Sequence, residues 1–109
     1  MSEVKTWLQK ANLAASLATN PILPAPQRKE ALVSLCWGCK NPELVFWIND
    51  GLINPSQFVY GILFKTCLLS MADGMSNENL PSLERQLYLQ AYQKLMGYDG
   101  FEAEKTEGK

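Results

Sequence analysis

The stretch of the sequence with the clearest chemical potential is Cys36-Trp37-Gly38-Cys39, a C-x-x-C pair. Two thiols at this spacing can form a redox-active dithiol or provide half of a metal site. Redox pairs usually place the first cysteine at a helix N-terminus, which lowers its pKa, whereas this pair falls late in a predicted helix. Cys67 is the third and last cysteine, so a zinc site would need carboxylates or a second chain. We expect buried thiols that behave as small apolar side chains, with redox activity or metal binding as the alternatives.

A second candidate is the polar loop over residues 73–81 between two predicted helices, where residues 73–78 offer oxygen ligands. It lacks the alternating carboxylates and the glutamate at the twelfth position that define a calcium-binding loop. Ala72, Asp73 and Gly74 resemble the A-D-G turn of the tellurite-resistance type of helical domain, over a minor part of the chain. The resemblance implies a divalent-ion site, with Asp73 and Glu78 as candidate ligands, although the downstream carboxylate is placed differently here. We expect a polar turn without a metal, and we predict no cofactor.

Aromatic side chains are concentrated in the middle of the chain. The predicted helix over residues 42–49 has about two turns, and it carries the unbroken apolar run LVFWI. Such a short helix cannot bury every side chain, and large aromatics left outside often anchor a protein interface. We therefore expect Leu44, Phe46 and Trp47 to form a protein-binding face, with burial of these aromatics in the core as the alternative.

The composition argues against several classes of function. Ten basic and eleven acidic residues give a net charge of −1, so no basic excess is available for nucleic acid. The chain contains no histidine, which removes the commonest general base and most zinc sites. No paired carboxylates, glycine-rich phosphate loop or serine-centred motif is present. We therefore do not expect an enzyme or a nucleic-acid-binding protein.

The elements that must position these residues are all helical. Apolar spacing and helix-start signals predict helices over residues 2–18, 26–39, 42–49, 54–72 and 82–96. We predict an all-α fold: a single compact domain (residues 1–101) of about five helices around a buried central helix (about 55–72). Tyr98 and Phe101 are expected to fold back onto the core, and residues 102–109 to form a disordered tail.

The predicted central helix begins with Asn54 as its cap and Pro55 at its first position. Gln57, Gly61 and Lys65 then form one narrow polar stripe on an otherwise apolar helix, so neighbouring helices must cover most of it. This helix is too short to span a membrane, and it carries a lysine in its middle. The polar loop over residues 73–81 follows it.

Two further expectations concern the first two helices. In the first helix the apolar stripe is rich in alanine, which lets another helix approach closely, and Lys5, Gln9 and Asn12 should be solvated. In the second helix one apolar side is predicted to contain four residues, and Val33 with Trp37 forms a second apolar edge. Those four residues are Leu32, Leu35, Cys36 and Cys39.

These observations favour a non-enzymatic interaction module, such as a small adaptor, chaperone or accessory subunit. Its partner is expected to be another protein or a second copy of itself, with no nucleic acid and no membrane. The first ten residues carry charges where a signal peptide needs an apolar run, so we expect no export signal, and three cysteines suggest reduced thiols in the cytoplasm. With its arginine-bearing helix start, its tryptophan-bearing short helix and the asparagine-proline start of the next helix, the sequence resembles in outline small helical bacterial proteins of unknown function near secretion machinery.

Overall fold

The computed structural model describes residues 2–98, which form five α-helices and one 3₁₀ turn. The helices are α1 (Ser2–Ala18), α2 (Ala25–Cys39), α3 (Leu44–Asn49), α4 (Gly61–Ser76) and α5 (Ser82–Met96). Residues 2–98 contain no strand, which confirms the predicted all-α class. The expected placement of Phe101 and the expected disorder of 102–109 lie outside the described residues.

The helices pack as two pairs joined by α4. Helix α1 packs along α2, and α4 packs along α5, while the short α3 lies against α5. Helix α4 also contacts α1 and α2, so it connects the two pairs and is the central helix that the sequence predicts. Its buried side contains Leu63, Cys67 and Met71 at steps of four residues, the spacing of one helical face. Gly61 and Lys65 are exposed, as the predicted polar stripe requires.

The start of α4 differs from the prediction. Gln57 does reach back as in a capping box, because its Oε1 accepts from the Asn54 amide at 2.9 Å. This arrangement closes only the 3₁₀ turn Pro55–Gln57, and the next residues are extended before α4 begins at Gly61. The extended backbone places Phe58 in the core, with its ring centroid 6.4 Å from that of Trp7.

The side chain of Asn12 stabilises this extended segment. Its Nδ2 donates to the Gln57 carbonyl at 3.2 Å, and its Oδ1 accepts from the Val59 amide at 2.9 Å. Backbone groups that a helix would have paired internally are thus paired with a residue of α1. The expectation that Asn12 is merely solvated was wrong for this reason.

The end of α4 also differs, because the predicted polar turn at Asp73-Gly74 is helical. Helix α4 continues to Ser76, and Asp73 is an exposed residue of its last turns. Gly74 is buried beneath the ring of Tyr88 in α5, where a Cβ atom would overlap the ring. The glycine therefore serves close packing of two helices and does not mark a turn.

Candidate protein-binding surface

The face predicted from α3 is only partly at the surface. Leu44 is fully buried (0% exposed) and belongs to the core. Trp47 is partly buried, and its ring packs edge-on against Trp7 at a centroid distance of 6.4 Å. Phe46 is 50% exposed. The binding role of this face stays a prediction, and Phe46 is the residue whose side chain is available for it.

A larger apolar surface lies on the outer side of α2. We call it the α2 stripe. It consists of Lys29, Leu32, Val33, Cys36, Trp37 and Lys40. These positions follow the spacing i, i+3, i+4, i+7, i+8 and i+11, so they lie on one face of the helix. Trp37 is 70% exposed, and Leu32, Val33 and Cys36 are exposed as well.

The opposite side of α2 faces the core. Ala31, Leu35 and Cys39 recur at steps of four residues and are all buried. Helices α1 and α2 form one of the most extensively packed pairs in the fold. Helix α2 is therefore apolar on two sides, and the rest of the described chain covers only the inner one. Contiguous exposed apolar surface of this kind often marks a binding site.

The α2 stripe encloses a shallow groove of about 320 Å³. Its centre is apolar, and a lysine stands at each end. The Lys40 ammonium lies 5.3 Å from the centroid of the Trp37 ring, within the range of a cation–π contact. The groove therefore combines an aromatic anchor with positive charge that is already held in place.

The C-terminal end of α2, beneath Trp37, is fixed to its neighbours by hydrogen bonds. The Trp7 Nε1–H donates to the Gly38 carbonyl at 2.9 Å, and the Ser70 hydroxyl donates to the Cys39 carbonyl. These side chains from α1 and α4 add partners to carbonyls in the last turn of α2, where intrahelical donors run out. A binding surface on such a supported helix loses little freedom when it is occupied.

The structure separates the two cysteines of the C-x-x-C motif. Cys36 is exposed, so the expectation of burial was wrong for this thiol, whereas Cys39 and Cys67 are buried as expected. The Cys39 and Cys67 Sγ atoms lie 3.5 Å apart. The hydrogen bond with Cys39 raises the pKa of the Cys67 thiol well above its ordinary value, and burial and repulsion from a Cys39 thiolate add to the rise. Cys67 is thus kept protonated, the form that is a poor nucleophile and metal ligand.

The candidate metal ligands do not form a cluster. Asp73 is exposed on α4, and Glu78 is exposed in the segment that connects α4 to α5. Within residues 2–98, no group of three or more histidine, cysteine, aspartate or glutamate side chains is arranged to hold a metal ion.

From the sequence, Trp37 was expected on a second apolar edge of the helix with Val33, but Lys29 and Lys40 were not identified. The available signal was their helical spacing, with two lysines bracketing an apolar run on one face. No known protein family, curated protein or solved structure matches the chain. Across the described part of the chain, every helix falls short of the length and apolar character needed to cross a bilayer.

Proposed function

We propose that this protein is a non-enzymatic interaction module that binds another protein through the α2 stripe. The observation that carries the proposal is the 70% exposure of Trp37 in the lining of an apolar groove, on a helix whose C-terminal end is fixed by hydrogen bonds. A few large aromatic side chains supply most of the binding energy at protein interfaces. Phe46 on α3 is a second exposed aromatic, and it extends the proposal to the face expected from the sequence.

An adaptor, chaperone or accessory subunit is the kind of protein that this proposal describes, with a bacterial secretion apparatus as one setting. We place it in the cytoplasm as part of the same proposal. Cys39 and Cys67 are free thiols whose Sγ atoms lie 3.5 Å apart without a disulfide, as we expect in a reducing compartment.

The test must find ligands without assuming their identity. Peptides selected from a random phage-displayed library on the immobilised protein should bind the wild type and lose binding to Trp37→Ala. Leu69→Ala is the matched control, because Leu69 is 67% exposed but lies on α4, outside the stripe. Circular dichroism checks that both variants keep the helical signal.

Peptides that bind wild type and Leu69→Ala but not Trp37→Ala are the expected result. Light scattering of the purified protein should accompany the selection, since a second copy on the stripe would compete with peptides. The proposal would be overturned if light scattering shows that no second copy occupies the stripe and the selection still yields no peptide whose binding depends on Trp37.

A further inference from the structure

We infer that the α2 stripe binds an amphipathic helix of another protein that carries acidic residues at both ends of its apolar face. This inference deepens the proposed function and rests on it. It specifies the chemistry of the partner from the shape and charge of the stripe.

The shape of the stripe favours a helix as the occupant. Lys29 and Lys40 are eleven residues apart on one helical face, a rise of about 16 Å or three turns. Between them, the exposed side chains of Leu32, Val33 and Trp37 line the apolar groove. A second helix laid along the groove places its own i, i+3, i+4 and i+7 side chains against it.

The charges of the stripe favour acidic ends on that helix. As far as residues 2–98 describe it, the lining of the groove contains two lysines and no acidic side chain. The contact between the Lys40 ammonium and the Trp37 ring holds one of these charges beside the apolar centre at 5.3 Å. A carboxylate on the partner would therefore meet a cation that is already positioned.

The same charges disfavour a second copy of this chain as the occupant. In an antiparallel pairing of two α2 stripes, Lys29 of one copy would face Lys40 of the other at both ends. In a parallel pairing, each lysine would face its own equivalent. Both arrangements bring like charges together, so the stripe complements a partner of opposite charge better than itself.

Two synthetic helical peptides with the same apolar residues test the inference, one with glutamates and the other with lysines at both ends. In fluorescence anisotropy titrations, the acidic peptide should bind about tenfold more tightly, since two weak ion pairs replace two repulsions. Added salt should reduce this difference.

The charge-reversed variant K29E/K40E should prefer the lysine peptide. The variant K5E/K65E is the control, because it changes the net charge equally at exposed lysines outside the stripe.

Three results would overturn the inference. The first is equal binding of the two peptides, or binding of neither. The second is a K29E/K40E variant that keeps the wild-type preference. The third is evidence that the chain itself occupies the stripe. That evidence would be a dimer that dissociates in Trp37→Ala, or tighter peptide binding by a variant that ends at Tyr98 and therefore lacks residues 99–109. If phage selection still yields ligands that depend on Trp37, only the acidic class is wrong and the proposed function stands.

Discussion

Gly74 of α4 lies directly against the aromatic ring of Tyr88 of α5, with no room for a Cβ atom between them. Glycine inside a helix costs about 1 kcal/mol relative to alanine, because it loses more backbone freedom on folding. The close approach of the two helices is the structural reason for accepting that cost.

The substitution Gly74→Ala should therefore destabilise the fold. Overpacking of a tight contact costs about 1–3 kcal/mol, which outweighs the gain in helix propensity of about 1 kcal/mol. The free energy of unfolding from urea titrations is the measurement. In a Tyr88→Ala background the cost should disappear, because the added methyl group then has space.

Gly38→Ala is the matched control for this prediction. A Cβ atom at Gly38 would lie 3.8 Å from the Trp7 Nε1 atom, an ordinary van der Waals contact. This variant should gain up to about 1 kcal/mol from helix propensity. A Gly74→Ala protein as stable as Gly38→Ala would show that the contact with Tyr88 is not tight.

The sequence predicted that these helices exist, and it placed their boundaries less well. Local signals such as the apolar period and the Asn54-Pro55 start identify each helix. The actual limits of α4 depend on residues far away in the chain. Asn12 of α1 pairs with the backbone of the extended segment before α4, and Tyr88 of α5 requires the glycine near its end. Neither contact is visible in the local sequence.

The candidate site was also only partly predictable, since α2 has apolar residues on two sides. The sequence grouped Leu32 and Cys36 with Leu35 and Cys39, but the first two are exposed and the last two are buried. Which side faces inward is decided by where α1 and α4 pack on α2. Likewise, the short α3 helix was expected to present Leu44, and its packing against α5 and the core buries that side chain.

Asn12→Asp tests the link between α1 and the segment before α4. Aspartate can still accept from the Val59 amide, but it cannot donate to the Gln57 carbonyl. The unfolding free energy should fall by about 1 kcal/mol, the usual net value of one hydrogen bond. Gln9→Glu adds the same charge to an exposed position of α1 and should have little effect. Equal stability of the two variants would argue that Asn12 contributes nothing beyond a solvated amide.

The three thiols should differ in reactivity. In native buffer, N-ethylmaleimide should modify Cys36 rapidly and leave Cys39 and Cys67 unmodified, because only Cys36 is exposed. Mass spectrometry should show one adduct per chain in the native state and three after unfolding. In Cys36→Ser no rapid adduct should form. Rapid native modification of Cys39 would instead support the C-x-x-C pair as a reactive dithiol.

The buried Cys67 thiol should make stability depend on alkaline pH. Its pKa is raised in the folded protein, chiefly by the hydrogen bond with Cys39, whereas the unfolded chain titrates near the ordinary value of 9.0. As pH rises above that value, the unfolded state loses the proton first, so it binds fewer protons and stability falls. The stabilisation due to Cys67 is fully present below the pKa of this thiol in the unfolded chain, and it is lost as pH rises through the pKa of the thiol in the folded protein. The slope of the unfolding free energy against pH approaches about 1.4 kcal/mol per pH unit for one proton.

Urea titrations between pH 8 and about 10.5 measure this effect. The free energy of unfolding should decline more steeply for wild type and Cys36→Ser than for Cys67→Ala. Tyrosine and lysine titrations are common to all three proteins, so identical slopes would contradict the assignment to Cys67.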